Sequence, residues 1–110
     1  MSSPIWATDC VLPAADGGRE NSSSPSIIGR IQAMRGHSVV IRTAQGVSYT
    51  VGIEPSTELF TAYGGGFEFS ELASGQYASI WLEGCSLPKK SGNVAAVLQL
   101  CSLSPEACRK

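Results

Sequence analysis

The side chains able to do chemistry in this chain are few. His37 is its only histidine, so any Ser-His-Asp or Cys-His arrangement must pass through it. It falls in Arg35-Gly36-His37-Ser38, which reads as a turn between two strands, where a histidine is a solvated residue with nothing to orient it. The four cysteines, Cys10, Cys85, Cys101 and Cys108, are separated by 75, 16 and 7 residues, spacings that match neither a zinc ribbon nor a redox CxxC pair. Glu54, Glu58, Glu68, Glu71 and Glu83 are spread along the chain like a solubilising face, not like the two carboxylates of a glycosidase. Gly64-Gly65-Gly66 lacks the Gly-Lys-Ser/Thr ending of a phosphate loop, and no substantial helix follows it. These residues point away from an enzyme, a bound metal and a cofactor.

The cysteines carry a different message. An even number in a chain of 110 residues reads as two disulfides, and disulfides persist in a periplasm or in the extracellular space. Four reduced, buried thiols in a cytosolic protein are the alternative. Met1-Ser2-Ser3-Pro4 has neither the basic start nor the apolar stretch of a signal peptide. The expectation is therefore an exported protein, periplasmic or at the cell surface, with its export signal or lipoprotein anchor removed ahead of Met1.

Length and charge narrow the field further. One modest core fits into 110 residues, but a second domain or a doubly wound nucleotide fold does not. Eight basic against nine acidic side chains give a net charge of −1, so there is no global positive field to gather nucleic acid or anionic lipid. No apolar run approaches the roughly 20 residues of a membrane span; Val94 to Leu100 is strand-sized.

Residues 1–26 hold Pro4, Pro13, Pro25, Gly17, Gly18 and a serine run, and read as an extended leader. Ile5-Trp6 and Cys10-Val11-Leu12 are its only apolar anchors. Asn21-Ser22-Ser23 fits a glycosylation triplet of the kind that arises often by chance.

From residue 27 short apolar runs alternate with turns every eight to twelve positions, the pattern of an all-β domain. Ile27 to Met34 reads as one strand, and Ser38 to Thr43 as a second with Val39 and Ile41 on one face and Val40 and Arg42 on the other. Val47 to Ile53 follows as a third. Pro55 stops it, and Thr57 to Ala62 makes a short fourth. Ser70 to Gly75 has an N-cap serine and a terminating glycine, enough for one helical turn. Gln76 to Gly84 and Val94 to Cys101 read as the last two strands, joined across Pro88 to Asn93.

Strand geometry bears on the disulfides. If the last two strands pair antiparallel, Cys85 and Cys101 lie roughly 25 Å apart at about 3.3 Å per residue, too far for a bridge. Two connectivities remain. Cys10–Cys85 with Cys101–Cys108 is preferred, the first pinning the leader and the second clasping the C-terminus; Cys10–Cys101 with Cys85–Cys108 is the other.

The order Gly29-Arg30-Ile31-Gln32-Ala33-Met34, a turn, Val39 to Gly46, Tyr49-Thr50-Val51, Thr57 to Phe60, and Leu72 to Ile80 resembles the small exported OB-like β-barrel domains of bacteria that have no known function. The resemblance covers about residues 27 to 100, with Gln76 standing where that pattern carries Asp. It implies a single small barrel of five to six strands over residues 27–110, and it brings no catalytic residues.

Three surfaces are candidates for binding. Tyr77 and Trp81 lie on the side of their strand opposite Ala78, Ile80 and Leu82, where an aromatic strip either meets a partner or is covered by the leader through Ile5, Trp6 or Leu12. Phe60, Tyr63, Phe67 and Phe69 crowd one loop, which either plugs the barrel or presents an apolar tip. Arg30, Gln32 and Arg42, with Arg35 nearby, fall on the outer face of the first hairpin, where OB-type barrels bind extended ligands. The expected function is a non-catalytic interaction module for a protein partner, of the inhibitor or immunity type. The alternative is a carbohydrate- or oligonucleotide-binding module that uses the first hairpin face.

Overall fold

The computed structural model describes residues 10–13, 23–61, 65–90 and 92–102. Among them run six strands: β1 (Ile27–Arg35), β2 (Ser38–Thr43), β3 (Ser48–Gly52), β4 (Glu58–Thr61), β5 (Tyr77–Leu82) and β6 (Asn93–Ser102). Five close into a barrel in the order β3-β2-β1-β5-β6, and β6 returns to β3. All pairings in the ring are antiparallel except the β3–β6 seam. Closure removes the open edges that would otherwise template aggregation.

Alternation decides which side chains face inward. Ile27 and Ile31 of β1, Val39 and Ile41 of β2, Val51 of β3, Ala78, Ile80 and Leu82 of β5, and Ala95 and Leu98 of β6 fill the interior with Ile53 and Leu72. The strip expected to be the inner face of β5 is therefore the inner face.

Glycine at position 29 is required by a close approach. A Cβ there would sit 2.3 Å from the Arg42 carbonyl oxygen, because β1 crosses from its pairing with β5 to its pairing with β2 at this point. Two residues further on, the β1–β2 register slips between Ile31 and Ala33. Gln32 is the extra residue of this bulge, a device that re-aims a side chain.

The seam between β3 and β6 is short, only Val51↔Asn93 and Gly52↔Val94. Buried Asn93 reinforces it. Its amide donates to the Thr50 carbonyl at 3.0 Å and to the Lys89 carbonyl, and its oxygen accepts from the Lys89 N–H at 2.8 Å. One side chain thus ties the barrel seam to the loop that leads into β6.

The fourth strand does not enter the ring. β4 pairs parallel with the stretch Val97 to Leu100 of β6, beyond the part taken by β3. Thr57, immediately before it, donates to the Ala95 carbonyl at 2.6 Å and accepts from the Glu54 N–H at 2.9 Å, which fixes the turn and lays β4 outside. The helical turn also differs from expectation: it is a single 3-10 turn over Phe69–Glu71, so Ser70 lies inside it and does not cap it. Leu72 is drawn into the core with extended backbone, and a longer helix would withdraw it.

Cys10 and Cys85 form a disulfide with a Cα separation of 5.5 Å, which excludes the connectivity pairing Cys10 with Cys101. Gly84 and Cys85 both adopt left-handed backbone, with φ of 66° and 53°, and this turns the chain off the end of β5. Only this one disulfide, not two, is seen among the described residues; Cys101 is buried and is not a free thiol, and Cys108 lies outside them. The bridge is compatible with an oxidising compartment. Among the described residues no helix is long and apolar enough to cross a membrane.

Candidate functional site

The candidate surfaces diverge once the side chains are placed. Trp81 has 0% of its surface exposed and packs with Phe60 and Val97 in a second cluster on the outer face of β5 and β6. Its indole N–H donates to the Ser23 carbonyl at 2.7 Å. Ser23 in turn exchanges hydrogen bonds with Val11, just after Cys10, and Ser26 holds Leu82 and Ile80 of β5. Trp81 is thus covered, with the end of the leader laid beside β5. Of the three residues expected to cover it, Leu12 is 40% exposed, while Ile5 and Trp6 lie outside the described residues.

The aromatic loop is also packed against the barrel where it is described. Phe60 is buried, and the half-buried rings of Phe67 and Phe69 pack against the main core. Phe69 sits beside the turn histidine His37, with ring centroids 6.1 Å apart. Tyr63 lies outside the described residues.

The first hairpin face is where the remaining candidates converge. An open groove of about 1000 Å³ runs along the N-terminal half of β1, between the β2–β3 turn on one side and Ser74, Gly75 and Tyr77 on the other. Arg30, Gln32 and Arg42 all line it, joined by Tyr49 and Tyr77. Tyr77, Arg30 and Arg42 form one transverse row, because Arg30 is the register partner of Arg42 on β2 and of Tyr77 on β5. Ser48 of β3 extends the row as the partner of Arg42.

The bulge aims Gln32 across this row. Its Oε1 accepts from the Ser48 hydroxyl at 3.0 Å, a bond that spans β2 and holds an amide and a hydroxyl side by side. Each guanidinium rests near a turn glycine: an Nη of Arg42 lies 3.4 Å from where a Cβ on Gly46 would stand, and an Nη of Arg30 lies 3.9 Å from the same point on Gly75. Both glycines have positive φ, 88° and 97°, a region that side chains disfavour. The tight turns they allow frame the two ends of the row.

Sequence periodicity placed Arg30, Gln32 and Arg42 on one face but grouped Tyr77 with Trp81. The register partnership with Arg30 moves Tyr77 into the groove. Tyr49, which alternation puts on the same side of β3 as Val51, packs against the core and also lines the groove. No group of three or more His, Cys, Asp or Glu able to hold a metal occurs among the described residues.

No family model matches this chain, and neither a curated protein nor a solved structure does.

Proposed function

We propose that the protein is a non-catalytic binding module, exported to an oxidising compartment, whose ligand lies in the groove on the β1–β2 face. The observation that carries this reading is the convergence of Arg30, Gln32, Arg42, Tyr49 and Tyr77 on one cavity of about 1000 Å³, the upper end of the size range of small-ligand sites. The barrel order, with an antiparallel ring closed by a parallel seam between its third and last members, supports an OB-type assignment. OB barrels bind oligosaccharides and oligonucleotides on the face of their second and third strands and the loops beside it, and the groove here takes in the β2–β3 turn end of those two strands. Fold likeness sets only where to look, and the groove chemistry supplies the argument.

A protein partner reached through Phe60, Phe67, Phe69 and Trp81 draws less support, since those rings are spent on packing. The groove offers hydrogen-bonding groups along a trough, which suits an extended polar ligand better than a flat apolar interface.

Affinity electrophoresis through gels carrying soluble polysaccharides tests the proposal. At least one polysaccharide should retard the protein, Tyr77→Ala should abolish the retardation, and Leu87→Ser, at an exposed site outside the groove, should leave it intact. Retardation by none of them, or equal retardation of both variants, contradicts the reading.

A further inference from the structure

Among the described residues, the two charged side chains that line the groove are both arginines, in a chain whose net charge is −1. Positive charge is thus concentrated here against the trend of the whole molecule. Arg30 and Arg42 are exposed and register-paired across the β1–β2 ladder. Like charges directly opposite each other in a sheet are destabilising, and among the described residues neither has a carboxylate partner. A local feature that opposes folding without compensation marks a functional site more often than a structural one.

We infer that the groove recognises a linear acidic carbohydrate, with carboxylates on separate sugar units met by Arg30 and Arg42. The inference rests on the groove being the ligand site. A planar guanidinium fork matches a carboxylate through two parallel hydrogen bonds. The two forks lean toward opposite rims, one at Gly46 and the other at Gly75, so a single small anion does not bridge them but a chain with repeated acid groups does. Between and beside them lie the amide of Gln32 bonded to the Ser48 hydroxyl, and the tyrosines Tyr49 and Tyr77. These are neutral donors, acceptors and amphipathic rings that suit sugar hydroxyls and C–H faces.

Single-stranded nucleic acid asks for something else. It carries a charge at every nucleotide and binds through a continuous basic track with freely exposed stacking rings. Among the described residues the groove presents two separate charges, and both tyrosines are half-buried.

Calorimetric titration of the full chain decides it, with linear oligogalacturonates and hyaluronan fragments as acidic probes. The methyl esters of the oligogalacturonates serve as uncharged controls, and single-stranded DNA of matched charge as the competing polyanion. At least one acidic series should bind, its esterified or carboxyl-reduced form about tenfold or more weaker, and Arg30→Gln and Arg42→Gln should each lose about ten- to a hundredfold. Equal binding of acidic and uncharged sugars overturns the inference while leaving the groove as a carbohydrate site. Binding of DNA as tight as that of the acidic sugars overturns it in favour of nucleic acid. Absence of binding by any sugar, charged or neutral, overturns both this inference and the proposed function.

Discussion

Arg30 and Arg42 face each other across the β1–β2 ladder as register partners, two residues along β1 from the bulge that turns Gln32 toward Ser48. Their backbones share one point of the sheet, while their guanidinium groups reach to separate glycine turns, at Gly75 and Gly46. This geometry gives the first hairpin its character, because it exchanges some sheet stability for a concentrated positive site.

Removing either charge should therefore stabilise the fold. Arg42→Gln or Arg30→Gln is expected to raise stability by about 0.2–1 kcal/mol, the size of an unfavourable cross-strand pair. Chemical denaturation in low salt reads this out, and raising the salt should shrink the gain. A loss of stability in both variants would show that the arginines serve packing instead.

The close approach at Gly29 makes a sharper steric prediction. Gly29→Ala places a methyl group 2.3 Å from the Arg42 carbonyl oxygen and should cost about 1–3 kcal/mol, as overpacking does. Gly52→Ala is the matched control: its Cβ meets the Asn93 carbonyl oxygen at 3.4 Å, ordinary contact. Thermal melts of the two should differ clearly, and similar melting temperatures would refute the account of the β1–β2 crossing.

Asn93 holds the seam by three hydrogen bonds to Thr50 and Lys89. Asn93→Ala removes three part-buried hydrogen bonds to Thr50 and Lys89 and should destabilise by about 1–3 kcal/mol. The loss should be local, with hydrogen exchange accelerating first at β3 and the start of β6 and least at the β1–β2 hairpin. Uniform acceleration would mean that the seam does not open independently of the barrel.

The Cys10–Cys85 bridge closes 75 residues of sequence and holds the segment that covers Trp81. The double variant Cys10→Ser/Cys85→Ser should lose about 2–5 kcal/mol. In a Trp6→Phe background, its Trp81 emission should shift to the red as the Ser23 carbonyl and the leader draw away. Unchanged emission with lowered stability would show that Trp81 is covered without help from the disulfide.

These outcomes also show which features were readable from sequence. The β1–β2–β3 meander was legible because short β-branched runs around Val39, Ile41 and Val51 are separated by glycine turns, all local signals. Strand lengths disfavoured Cys85–Cys101 but left Cys10–Cys85 with Cys101–Cys108 and Cys10–Cys101 with Cys85–Cys108 both open. The burial of Trp81 was not decidable, since its position on β5 points outward and its cover comes from Phe60, Val97 and Ser23, far away in sequence. Nor was the outer placement of β4, which depends on the bond from Thr57 to Ala95. The Gln32 bulge has no signature in β1 by itself, because a bulge is a property of the pairing. For the site, face alternation was enough to gather the arginines and Gln32, whereas adding Tyr77 needed the register between β1 and β5.

The central claim is that ligand binds along the Arg30–Arg42–Tyr77 row, and amide chemical-shift mapping of the isotope-labelled protein during titration with linear oligouronates tests it most directly. The account predicts saturable shifts at Gly29 to Gln32, Arg42 to Val47 and Ser74 to Tyr77, with little change around Trp81, Phe60 and Leu87. Shifts centred on the Cys10–Cys85 end or on the Phe67 to Phe69 turn, with the groove silent, would contradict it.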